Sequence, residues 1–64
     1  MRIEPSPLTV LALCDRCDFR AIRPTPAAAW TTLAQHAKAV HNDSRAASRA
    51  RDAARAHRRR AVES

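Results

Sequence analysis

Both cysteines of this chain lie in one stretch, LALCDRCDF, as Cys14 and Cys17 with two residues between them. Thiols at this spacing support three chemistries: a lipid anchor, a disulfide exchanger, or half of a metal site. A lipid-modified cysteine needs a small residue before it and a basic, uninterrupted leader. Here Leu13 precedes Cys14, and Glu4, Pro5 and Pro7 stand in the leader. A C-x-x-C exchanger works from a helix N-terminus, which lowers the thiol pKa. Here Asp15 and Asp18 flank the pair and oppose ionisation, and residues 19–22 read as strand. The metal chemistry has its other half downstream in LAQHAKAVH, where His36 and His41 are separated by four residues. Two thiolates and two imidazoles are the donor set of a structural zinc site, so one Zn²⁺ on Cys14, Cys17, His36 and His41 is the expected cofactor.

To bring the two pairs together, a hairpin must present the cysteines and a helix the histidines. Residues 1–7, with Pro5 and Pro7, read as an irregular leader. Residues 8–13 (LTVLAL) read as a first strand, CDRC as the metal-binding turn, and 19–22 (FRAI) as a short second strand. RPTP at 23–26 is a loop that ends in a helix start, with Thr25 as N-cap and Pro26 in the first helical position. The helix then runs to His41, with Trp30, Leu33, Ala37 and Val40 on one apolar face over the hairpin and Trp30 as a core residue.

Spacing constrains the end of that helix. His36 and His41 lie about 140° apart on an ideal helix, so one ion reaches both only if the last turn distorts. Tightening or termination is expected at 40–42, with Asn42 as a left-handed cap and Asp43 or Ser44 capping a new helix. Residues 45–61 contain strong helix formers and neither Gly nor Pro, but Ala46, Ala50, Ala53, Ala54 and Ala61 give only a thin apolar stripe. Such a helix is marginal alone and could order on a partner. A continuous helix from 26 to about 60 is the alternative, and His57 is expected in solvent. The organisation is a leader at 1–7, a metal-stabilised unit at 8–42 and an Arg/Ala-rich tail at 43–64. No ligand or core residue is expected beyond His41.

Composition agrees with a stapled fold. The chain has 64 residues, 45% of them hydrophobic, but with one Trp, one Phe, no Tyr and many alanines. So small a core needs a disulfide or a metal. The net charge is +6, split as +2 over residues 1–42 (five basic, three acidic) and +4 over 43–64 (seven Arg, three acidic). This balance favours anionic partners. No apolar run reaches the length of a membrane span, and a cytoplasmic location is expected.

The pattern resembles the zinc fingers that use two cysteines and two histidines, over about residues 9 to 41. The resemblance implies a ββα-like finger in the small zinc-stabilised α+β class, here followed by a basic C-terminal helix. In that family a Leu three before the first His packs on an aromatic beneath the metal, which implies this role for Leu33 and Phe19. It also implies that Ala29, Thr32 and Gln35 occupy base-reading positions. The chain departs from the family with eighteen residues between Cys17 and His36 rather than about twelve. Phe19 also follows Cys17 after one residue rather than three. It therefore looks like an atypical single finger of prokaryotic or phage type.

Four protein ligands close a zinc shell, and no catalytic constellation stands elsewhere, so a non-enzyme without a small-molecule substrate is expected. The first expectation is nucleic-acid binding, to duplex DNA. The contacts expected are Thr32, Gln35 and Lys38 on the finger helix, with Arg45, Arg49, Arg55, Arg58, Arg59 and Arg60 of the tail on phosphates. The alternative is an interaction adaptor whose arginines grip an acidic protein surface.

Overall fold

Alternation in VLAL sends Val10 and Ala12 to one face of a strand and Leu11 and Leu13 to the other, and this strand becomes the centre of the sheet. The computed structural model describes residues 1–63. It contains β1 (Arg2–Pro5), β2 (Val10–Leu13), β3 (Arg20–Arg23), α1 (Pro26–His41) and α2 (Ser44–Glu63). The three strands form an antiparallel sheet in the order β1-β2-β3. α1 lies across one face, and α2 packs on α1 as an antiparallel helical hairpin. The chain is thus a small α+β fold in which the expected ββα unit carries one further strand and a second helix. No described helix is long and apolar enough to cross a membrane.

The added strand corrects the reading of residues 1–7 as an irregular leader. Ile3 pairs with Ala12 and packs on the core, while Arg2 and Glu4 face away from it. Pro5 is compatible with pairing because β1 is an edge strand and Pro5 closes it. β2 and β3 are each four residues, shifted inward or onward from the expected 8–13 and 19–22.

α1 starts as its sequence requires. The Thr25 hydroxyl accepts the Ala28 N–H at 3.1 Å, and Pro26 fills the first turn, where no amide donor is needed. Leu33, fully buried, packs with Val10, Ala12 and Ala29, and Phe19, Ile3 and Ala21 close around them. Trp30 is half-buried and touches both this cluster and a second one between the helices.

That second cluster corrects the expectation that nothing beyond His41 belongs to the core. Ala47, Ala50 and Ala54 are buried, and Ala47 and Ala50 pack directly on Ala34 and Ala37. Of the stripe expected, Ala50 and Ala54 are buried, Ala46 and Ala53 are half-buried, and the Ala61 side chain lies outside those described; Ala47 joins them, and Ala on both helices lets the backbones approach closely. The continuous-helix alternative fails at Asn42, which takes left-handed dihedrals (φ 50°, ψ 38°) and turns the chain back. Asp43 then caps α2, its carboxylate accepting the Ala46 N–H at 3.0 Å. His57 is half-buried rather than in solvent, because it lies one turn past Ala54 beside the seam.

Placing a charge in the seam should unfold more than the tail. Ala50→Glu is expected to cost about 3 kcal/mol or more, the scale of an uncompensated buried charge, in urea unfolding of the metal-loaded protein. A loss under about 1 kcal/mol would show that α2 does not pack on α1 in solution. Removing residues 44–64 is likewise expected to lower the melting temperature.

Candidate metal centre

The cysteines sit where β2 ends and β3 begins. The Cys14 N–H donates to the Phe19 carbonyl at 3.2 Å, closing the CDRC turn, so both sulfurs point to one side. The histidines come from the last turn and a half of α1, and the distortion they need is present. The N–H groups of Asn42 and Asp43 both bond the Ala37 carbonyl, the latter at 3.0 Å. The Asn42 bond spans five residues instead of four, which is π-type geometry. The helix terminates at His41, one of the two outcomes expected, but its last turn widens rather than tightens, and this brings His41 round toward His36. The same rotation moves Val40 off the apolar face, leaving it 62% exposed against the expectation that it covers the hairpin.

Four ligand atoms meet as a result. Cys17 Sγ lies 3.3 Å from His36 Nε2 and 3.5 Å from His41 Nε2, and Cys14 Sγ lies 3.5 Å from His41 Nε2. All four donor atoms fall within 4.8 Å of one another, so Cys14, Cys17, His36 and His41 could hold one metal ion. Both thiols are free of disulfide, Cys14 buried and Cys17 exposed. Phe19 stacks on His36 with ring centroids 4.0 Å apart and an interplanar angle of 13°. Leu33 is buried in the cluster that Phe19 closes. Burial, reinforced by the charge of His41, holds His36 below its ordinary pKa, which favours the neutral imidazole a metal requires.

The turn is also tied to the helical hairpin. Arg16 Nη1, between the two cysteines, lies 2.9 Å from Asp43 Oδ2, next to the α2 cap. The hydrogen bond from the Ala46 amide, with help from Arg16 and Arg49, keeps the Asp43 carboxyl below the usual carboxylate range. Asp43 thus joins the metal turn to the start of α2, a role with no signal in the sequence beyond its position after Asn42.

The nine residues named from sequence as nucleic-acid contacts divide. Gln35, Arg55 and Arg58 line a groove between α1 and α2, and Thr32 lies in a shallow depression of α1 and the β3 end that adjoins it. The Thr32 hydroxyl is already engaged there, accepting from Arg23 Nε at 2.9 Å and donating to the Ala28 carbonyl. Arg58 Nη2 donates to Thr31 Oγ1 at 3.3 Å. Arg49 lies on the opposite flank, beside Trp30 and Arg16. Lys38, Arg45, Arg59 and Arg60 are exposed and do not line the groove. Arg51, unremarked in the sequence, does line it, and Arg23 lines the adjoining depression. For Arg51 a signal existed: it stands four before Arg55 and seven before Arg58, one helical face.

Metal should be a condition of folding. Structural sites of this donor set contribute about 10–16 kcal/mol of apparent binding energy, more than so small a core supplies. Elemental analysis should give one ion per chain, and chelation should abolish the cooperative thermal transition. Cys14→Ser and His36→Ala should each do the same at neutral pH. A cooperatively folded metal-free chain would refute the assignment.

Compared with family models, curated proteins and solved structures, the chain matches none, so the likeness to two-cysteine, two-histidine sites rests on the geometry of the four ligands alone.

Proposed function

We propose that this chain is a small zinc-stabilised nucleic-acid-binding module that grips duplex DNA along the groove between α1 and α2. The ligand spacing supports zinc. With Zn–S of about 2.3 Å and Zn–N of about 2.0–2.1 Å, tetrahedral angles put sulfur and nitrogen about 3.5 Å apart. The three close S···N separations are 3.3, 3.5 and 3.5 Å. The ion's work is structural: it holds the hairpin to the end of α1.

The observation that carries the nucleic-acid reading is the convergence of Arg51, Arg55 and Arg58 on one groove with Thr31 and Gln35, with Arg23 in the shallow depression adjoining it. Asp15, Asp18 and Asp43 stand at the other end, around the metal turn, and Asp52 is the acid paired with Arg55, at 2.8 Å. Four guanidiniums along a cleft suit a phosphate backbone, which Arg binds bidentately. Because the Thr32 hydroxyl is engaged, Gln35 is the remaining polar reader, and phosphate contacts dominate over base contacts.

Titration against random duplex at several salt concentrations tests this. Four phosphate contacts give a log–log salt slope of about −3 to −4, and Arg51→Gln with Arg58→Gln should flatten it by about two. The paired control Arg45→Gln with Arg60→Gln, outside the groove, should change it by less than about one. Equal effects of the two pairs would replace a defined groove with diffuse attraction. Absence of binding below about 100 μM in low salt would remove the nucleic-acid reading in favour of an adaptor for an acidic protein.

A further inference from the structure

The sheet has two faces, and the fold covers one. Val10, Ala12, Ile3 and Ala21 point to α1. By strand alternation and the pairing register, Leu11, Leu13 and Ile22 point the other way, with Arg2, Glu4 and Arg20 around them. α2 packs on α1 and touches none of the strands among the described residues. A one-sided antiparallel sheet ordinarily shows polar residues to water. Here the central strand carries two leucines, both half-buried, and Ile22 beside them is 64% exposed.

We infer that this face docks on the same face of a second copy of the chain, forming a two-fold sheet-on-sheet pair. The register selects the arrangement. The open face has two rows across the strands: Glu4, Leu11, Ile22 and Arg2, Leu13, Arg20. Two sheets stacked face to face can be related by a two-fold axis along the strands or across them. An axis along the strands sets Arg2 over the partner's Arg20 and Glu4 over the partner's Ile22, which pairs like charges and strands a carboxylate. An axis across the strands sets each row over the other. Glu4 then faces the partner's Arg2 at both ends, Leu11 faces the partner's Leu13 twice, and Ile22 lies on the aliphatic stem of the partner's Arg20.

An isologous interface requires this self-complementarity, and the second arrangement supplies it. Arg2 and Glu4 are poised for it: they sit 3.6 Å apart on the same face of β1 and are both exposed. The patch is three strands of four residues each, so the area falls in the small, transient class, below about 1,200 Å² in total. The pairing uses neither the α1–α2 groove nor the metal ligands, and it stands whether or not the chain binds nucleic acid.

Sedimentation equilibrium of the metal-loaded chain tests it. The average mass should rise from the 7.1 kDa of one chain toward twice that, with a midpoint on the order of 100 μM, as suits so small an interface. Glu4→Arg should raise the dissociation constant at least tenfold, while the double reversal Arg2→Glu with Glu4→Arg restores it to within about threefold, since opposite charges again face each other. Circular dichroism and metal content check that each variant is folded. A chain that stays at single mass to about 1 mM would overturn the proposal. So would a mass passing beyond two chains, or a double reversal as weak as Glu4→Arg alone.

Discussion

One turn of helix governs this molecule. His36 and His41 must face a single point, and an ideal helix holds them about 140° apart. The Ala37 carbonyl resolves the conflict by accepting two amides, those of Asn42 and Asp43, which widens the end of α1. Three consequences follow from that one feature. His41 swings to within 3.5 Å of both sulfurs. Val40 leaves the apolar face. Asn42 enters the left-handed region and reverses the chain, so that Asp43 begins a second helix lying back along the first. Metal geometry and helical hairpin are set by the same residues.

Magnitudes explain why the two must be coupled. Burying the methyl groups of Ala47, Ala50 and Ala54 contributes about 2–3 kcal/mol in all, at about 0.8 kcal/mol for each carbon. That is too little to hold a twenty-residue helix in place by itself. Ligation of a structural metal contributes several times more. A metal held by the four ligands would fix the end of α1, and the short reversal at Asn42 would then hold α2 against its seam at small entropic cost. Arg16 reinforces the junction from inside the C-x-x-C turn.

The same geometry separates charge. Carboxylates gather at the metal turn, where they cap α2 and pair with Arg16 and the N-terminal amine, which lies 2.9 Å from Asp15. Guanidiniums from β3 and from one face of α2 gather along the groove. The chain, with a net charge of +6, thus keeps Asp15 and Asp43 in structural pairs at the metal turn while several guanidiniums lie together along the helices.

Local chemistry was enough to read the four ligands, the Thr25–Pro26 helix start and the Asn42 stop, since each depends on residues a few positions apart or on ligand types that have few other uses together, whereas the partnership of Phe19 and Leu33 came from the resemblance to two-cysteine, two-histidine fingers. It was also enough to require a distortion at the end of α1, because the angle between two helical positions is fixed by the helix itself. The sense of that distortion belonged to tertiary structure: whether the turn tightens or widens depends on where the sulfurs stand. So did β1, where Pro5 and the nearby Pro7 concealed a strand that exists only because β2 offers it an edge. So did the core value of the tail, since Ala47, Ala50 and Ala54 are apolar enough to bury only when the alanines of another helix come close. Which arginines share a groove was decided last of all, by the reversal at Asn42 that lays α2 beside α1.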